Sequence, residues 1–388
     1  MIKLETTVSE HTTTSPVRVI PVTILSGFLG AGKTTLLQYI LSVHHGKRIA
    51  IIENEFGEEI GVESLVAKNG LDGEILDGFY ELSNGCICCS IRNDLVNTLE
   101  KLVERRDRFD YILVETTGMA DPGKVASLFW MDNELEGRIV LDGIVTLVDA
   151  RRILYHLTRL ETQVEAEAQL AYADRILLNK RDLVDDEETR LEIEERIQRI
   201  NGIASLKWTE RSRVDLDEIL NIQSFTTNRA KQVEAELQML RQKNKNKDER
   251  DYDECKDEQS SVSTHTGGMQ TTCVRIKDGA LNQDKLERWL GELLWDEDVG
   301  GKTEPGCDVA TRQKIFRVKG VLAIAGEPYK FILQAVHELF EVYPSEERWP
   351  QSELNGTETC VTQVVFIGLH LRKNELQAGL QRCLMSER

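Results

Sequence analysis

Short apolar runs recur through the first half of the chain: Val22 to Ser26, Arg48 to Glu53, Tyr111 to Glu115, Gly143 to Asp149 and Arg175 to Asn179. Each is rich in β-branched residues or leucine, and each ends in a polar or glycine-bearing segment, as strands buried on both faces do. With helical stretches between them, the pattern predicts an α/β fold, a doubly wound and mostly parallel sheet. After about Phe225 the pattern stops, and Arg241 to Gly268 is dense in charged and small polar residues with almost no large apolar ones. Apolar spacing returns at Cys273. It is helical through Leu286, Trp289, Leu290, Leu293 and Leu294, then strand-like over Ile315 to Ala325 and Cys360 to Leu369. Gly326-Glu327-Pro328 is a turn signal, so Phe331 to Val342 is expected to pair back as a hairpin. The expected organisation is a disordered tail over 1–14, a first domain over 15–225, a charged flexible linker over 226–272 and a smaller α/β domain over 273–388.

At 388 residues the chain exceeds one ordinary compact core, which agrees with two domains. The stretch Met1 to Thr14 is polar, and no apolar run reaches the roughly 18 residues that a membrane span needs. A cytoplasmic protein with no membrane partner is expected. The net charge of -18 opposes nucleic acid as a partner. The eight cysteines are too few for a disulfide scaffold, and three of them crowd into Cys86-Ile87-Cys88-Cys89.

Gly27-Phe28-Leu29-Gly30-Ala31-Gly32-Lys33-Thr34 fits the phosphate-loop pattern, straight after one predicted strand and opening a helix. Glycines let backbone N–H groups wrap phosphates, Lys33 is placed for the β and γ oxygens, and the Thr34 hydroxyl for Mg²⁺. Glu115 ends another central strand, where an acid beside the γ-phosphate is expected, and Thr116-Thr117-Gly118 follows it; an acid that merely terminates a strand is the plain alternative. Asn179-Lys180-Arg181-Asp182 supplies base choice. Asp182 can accept from N1–H and the 2-amino group of guanine, whereas adenine offers neither donor. GTP is the expected substrate, with Asn179 bracing the loop and the Lys180 stem over the ring.

The cluster Cys86, Cys88 and Cys89 offers three soft thiolate ligands, which leave a tetrahedral Zn²⁺ or Cu(I) one open position. That suits metal transfer; a structural metal and redox chemistry are the competing readings. Glu53-Asn54-Glu55-Phe56-Gly57-Glu58 follows the second strand. Its carboxylates are candidates for a fourth metal ligand, a link between that ion and Mg²⁺, or a water-positioning group; a solvated acidic loop is the plain alternative. His337 and His370 read as core or interface residues in strands of the second domain. The charges of Lys231 to Arg250 read as a solvated face.

Taken together, these motifs resemble the CobW-type family of metal-chaperone GTPases. Met119-Ala120-Asp121-Pro122-Gly123 adds to the resemblance, as do Arg317-Val318-Lys319-Gly320, Gln334-Ala335-Val336-His337 and Val365-Phe366-Ile367-Gly368 in the second domain. Phe129-Trp130, Leu141-Asp142-Gly143, Arg211 to Leu216 and Leu294-Trp295 are most similar to the eukaryotic zinc-regulated GTPase metalloprotein activators. The resemblance implies Zn²⁺ on Cys86, Cys88 and Cys89, with Cys89, Ser90, Ile91, Arg92 and Asn93 passing near the nucleotide. It also implies GTP hydrolysis driving delivery to a client apo-metalloenzyme, typically type 1 methionine aminopeptidase; a cobalt or nickel insertion GTPase and a nucleotide-switched metal-storage or binding protein are the alternative readings. Those activators carry a Cys-Pro-x-Leu-Val-Pro docking motif, whereas this chain has Ser15-Pro16-Val17-Arg18-Val19-Ile20-Pro21, with serine for cysteine and altered spacing. Docking on the aminopeptidase is in question on that ground, and a homodimer is left open.

Overall fold

The computed structural model describes residues 19–43, 46–53, 63–68, 95–96, 99–100, 102–104, 108–118, 120–131, 138–225, 230–240, 268–277, 279–295, 313–350 and 360–385. Seven strands form the first sheet: β1 (Ile20–Ser26), β2 (Arg48–Glu53), β3 (Glu63–Lys68), β4 (Tyr111–Glu115), β5 (Ile139–Asp149), β6 (Arg175–Asn179) and β7 (Ser205–Trp208). Their order is β3-β2-β4-β1-β5-β6-β7, parallel throughout except for β3, which runs antiparallel to β2 at one edge. The apolar runs are buried on both sides. Ile24, Ile52, Val114 and Leu178 face one core and Leu25, Ile51, Leu113 and Leu177 the other, the alternation a strand imposes.

The helices are α1 (Lys33–Ser42), α2 (Pro122–Met131), the short α3 (Ile153–His156), α4 (Gln163–Tyr172), α5 (Glu187–Ile200), α6 (230–240), α7 (Gln283–Trp295) and α8 (Lys373–Arg382). Asp186 caps α5 by accepting from Thr189 N at 2.6 Å, and Glu187 and Glu188 suit the positive end of the helix dipole.

A second sheet comprises β8 (Met269–Ile276), β9 (Lys314–Ala323), β10 (Tyr329–Val336), β11 (Leu339–Arg348) and β12 (Thr362–Leu369), in the antiparallel order β11-β10-β9-β12-β8. The predicted hairpin is present as β9 and β10, joined across Gly326-Glu327-Pro328, while the stretch Phe331 to Val342 is not one strand but turns at His337-Glu338 into a second hairpin, β10 with β11. On one face lie α7 and α8, which bury Leu286, Leu290, Leu376 and Leu380. The other face shares a core with the first domain: Phe316, Val321, Ile332 and Ile367 belong to the same cluster as Tyr172, Ile197 and Val114. The two sheets thus use one helical layer in common.

Four expectations change. First, β3 and β7 had no counterpart among the predicted strands; β7 is only Ser205-Leu206-Lys207-Trp208, too short for a periodic signal. Second, α6 and the start of β8 fall inside the stretch 226–272 expected as linker. Ala230, Val233, Leu237 and Leu240 make a buried helical stripe in α6, hidden in sequence by the charges between them. Third, several of those charges are paired. Glu234 lies 2.6 Å from Lys330 and Glu236 3.3 Å from Lys319, so this end of Lys231 to Arg250 is not simply a solvated face. Fourth, His337 and His370 sit just past strand ends with φ of 57° and 52°, in turns rather than within strands.

Candidate functional site

Residues at the C-terminal ends of β1, β4, β5 and β6 converge on the phosphate loop. Gly27, Gly30 and Gly32 have φ of 136°, 77° and 111°, a backbone open to glycine and strained for other residues. At Gly27 there is no alternative, since a Cβ would lie 2.1 Å from the Leu147 carbonyl of β5. Lys33 is buried, and its Nζ donates to the Gly27 carbonyl at 2.6 Å and the Phe28 carbonyl at 3.4 Å, which places the ammonium within the loop. Burial lowers its pKa from the ordinary 10.5, an effect that the Glu115 carboxylate partly opposes.

Glu115 is in register with Leu25 of β1 and with Glu53 of β2. It is followed by Thr116, whose N–H donates to the Leu25 carbonyl at 2.9 Å. Thr34, the second residue of α1, is exposed. The Thr34 hydroxyl and the Glu115 carboxylate are hard oxygen donors of the type Mg²⁺ takes, beside a loop with a phosphate-binding backbone. The donor set fits that ion.

Asn179 binds the site together. Its Nδ2 donates to the Ala31 carbonyl at 2.9 Å and to Ser212 Oγ at 2.8 Å, while its Oδ1 accepts from Ser212 N at 2.8 Å and Thr209 Oγ1 at 3.2 Å. Ser212 Oγ in turn donates to the Gly32 carbonyl at 2.9 Å. Lys180 follows with φ of 64°, and its ammonium pairs with Asp149 at 2.6 Å. Arg181 and Asp182 are exposed in the next turn.

The sequence reading gave no role to the loop Thr209 to Ser212, although Arg211 to Leu216 carried part of the resemblance; Arg211 and Ser212 adopt left-handed φ of 51° and 56°. Its signal was positional: it follows the next strand after Asn179, and strand ends of a parallel sheet gather at one edge. Phe28 against His156 was also missed, with ring centroids 4.4 Å apart. Burial, with Arg152 nearby, holds the His156 pKa below its ordinary value. Cys86, Cys88, Cys89, Ser90, Ile91, Arg92, Asn93 and the segment Asn54 to Glu58 lie outside the described residues, as does the side chain of Glu53. Among the described residues no cluster of metal-ligating side chains occurs, and no helix is long and apolar enough to cross a membrane.

Comparison with known proteins covers both sheets. The family model "CobW/HypB/UreG, nucleotide-binding domain" matches residues 21–207, and "Cobalamin synthesis protein cobW C-terminal domain" matches 270–384. The chain is 31% identical to the zinc-regulated GTPase metalloprotein activator 1 of Schizosaccharomyces pombe, across 91% of this chain and 83% of that protein. It is 32% identical to the zinc chaperone YjiA of Escherichia coli, across 93% and 97% respectively. The crystal structure of Zn(II)-bound YjiA GTPase superposes with a TM-score of 0.64 at 28% identity, covering 95% of this chain and 100% of that one.

Proposed function

Because the chain belongs to the CobW/HypB/UreG family of nucleotide-binding proteins, we propose that it is a zinc chaperone GTPase that couples GTP hydrolysis to metal transfer into a client metalloprotein. The observation that carries this is Asn179. One side chain joins the phosphate loop at Ala31 to the strand-end loop at Ser212, and three residues later Asp182 stands exposed for a base. That join supports the reading in which phosphate and base recognition form one unit.

In this reading Gly27 to Thr34 wrap the phosphates, and Lys33 exchanges its loop carbonyls for the β and γ oxygens. Asp182 accepts from guanine N1–H and the 2-amino group. Thr34 and Glu115 hold Mg²⁺, which when bound neutralises phosphate charge. Water attacks the γ-phosphorus, the bond to the β-bridging oxygen breaks, and GDP and phosphate leave. Zn²⁺ is the cargo, carried by Cys86, Cys88 and Cys89. Loss of the γ-phosphate relaxes Thr116 to Gly118 and the segment from Glu53 and lowers the grip on the ion. The relatives named for zinc support the choice of metal, and type 1 methionine aminopeptidase is the first client to assay.

The test is zinc hand-off. Protein loaded with one Zn²⁺ should activate an apo-metalloenzyme with GTP but not with a non-hydrolysable analogue. Equal activation by the analogue would show that hydrolysis does no transfer. Replacing Cys86, Cys88 and Cys89 together by alanine should abolish both zinc loading and activation.

A further inference from the structure

The loop after Glu115 is held from behind by a side chain so far given no role. Gln169 of α4 is buried, at 2% exposure, and its Nε2 donates to the Gly118 carbonyl at 3.0 Å and the Ala120 carbonyl at 3.5 Å. The backbone carbonyl of Gln169 accepts from Thr146 Oγ1 of β5 at 2.9 Å, which fixes that point of the helix to the sheet. On its other side the loop has no slack, because a Cβ on Gly118 would lie 2.5 Å from Leu29 N in the phosphate loop. Gly118 is thus confined between the phosphate loop and the Gln169 amide.

One turn farther on, the same helix meets the second sheet. The Tyr172 ring packs on Gly123 at the start of α2, where a Cβ would come within 2.3 Å of the ring. The ring also faces Phe316 of β9, with centroids 5.4 Å apart. The Tyr172 carbonyl accepts from the Arg317 guanidinium of β9, which also pairs with Asp174. Lys319 adds a second cation to Asp174 at 3.0 Å, and the side chains of Arg317 and Asp174 are each only 1% exposed. A buried, multiply bonded ion pair resists small displacement, since a partial shift strands a charge away from water. The helix end is therefore pinned to the second sheet while its middle holds the loop.

We propose that α4 is a strut through which the C-terminal sheet positions the loop at Thr116 to Gly118 against the γ-phosphate, with Gln169 as the positioning residue and Arg317 as its anchor. The inference rests on the GTPase reading. If the loop moves on hydrolysis, either the amide lets go of Gly118 or α4 shifts, and Arg317 opposes the shift. The second sheet thereby sets how firmly the loop is aligned for the chemical step.

Steady-state GTP turnover with Mg²⁺, on the full chain, tests this. Gln169→Met keeps the shape and removes the donor. It should lower kcat about three- to tenfold with little change in KM, because the amide touches the loop and not the nucleotide. Arg317→Lys keeps the charge beside Asp174 but cannot also span to the Tyr172 carbonyl, and it should lower kcat in the same way. The double variant should be no slower than the slower single one, since both act on one element. A merely structural role would lower the melting temperature and leave kcat per folded molecule unchanged. Unaltered kcat in folded Gln169→Met, or losses that multiply in the double variant, would overturn the proposal. Should Gln169→Met not fold, hydrogen exchange in Arg317→Lys decides: amides of the loop should exchange about fivefold faster, and unchanged exchange would overturn it. A wild type that hydrolyses no GTP would instead fail the GTPase reading itself.

Discussion

Strand β6 has an aspartate beyond each of its ends, and the two acids live in opposite surroundings. Asp174, before the strand, is buried and satisfied by Arg317, Lys319 at 3.0 Å and the Ile144 N–H at 3.0 Å. Asp182, beyond its C-terminal end, is exposed. The same division runs across the sheet. Toward its N-terminal edge Asp142 accepts from Tyr111 and from the N–H groups of Ile222 and Gln223, each of the latter at 2.8 Å, and so fastens a loop beneath the strands. At the C-terminal edge stand Lys33, Glu115 and the glycines of the phosphate loop. On the proposed reading one edge of the parallel sheet serves architecture and the other ligand chemistry, because the strand ends and helix N-termini that attract anions all point one way.

Substitutions at the two edges should therefore fail differently. The largest effect on stability is expected from Arg317→Met, which removes one cation from buried Asp174 and should cost about 3 kcal/mol in chemical denaturation, with Lys319 limiting the loss. Lys33→Ala, at the other edge, should lower GTP turnover by about a hundredfold while the fold melts near the wild-type temperature. If Lys33→Ala destabilised the chain as much as Arg317→Met, the contrast between the edges would collapse.

A smaller effect sharpens the comparison through pH. Burial, then the Asp142 charge, raises the Tyr111 pKa well above its ordinary 10.0. The fold keeps the phenol neutral where the unfolded chain ionises it. That contribution is fully present below pH 10.0 and declines as the pH rises above it. Denaturation on either side of that pH should show the decline, and Tyr111→Phe should remove it while costing about 1 kcal/mol at neutral pH.

How much of this was legible in the sequence also divides by edge. The phosphate loop, Glu115 and Asn179 to Asp182 stood out because each closes a short apolar run, and the chemistry demands those residue types at those strand ends. At the paired edge Arg317-Val318-Lys319-Gly320 and Leu141-Asp142-Gly143 carried part of the resemblance, but not what they touch. Arg317 and Asp174 are 143 residues apart, and a charge pair at that separation leaves no spacing to read. Gln169 looks like any polar position of a helix until the Gly118 carbonyl is seen beside it. The expected linker concealed α6 for a related reason: the stripe Ala230, Val233, Leu237 and Leu240 faces a surface that exists only once both sheets are folded. The bonds of Ser212 to Gly32 and Asn179 were hidden behind a four-residue strand, β7, that the spacing did not reveal.

The most direct test compares the two aspartates of β6 by measuring GTP and ATP affinity in the wild type, Asp182→Asn and Asp174→Asn. The wild type should prefer GTP, Asp182→Asn should lose about ten- to a hundredfold of its GTP affinity with an unchanged melting temperature, and Asp174→Asn should melt lower yet keep its preference. Equal binding of GTP and ATP by the wild type, or an undiminished preference in Asp182→Asn, would contradict the assignment of the C-terminal edge to guanine recognition.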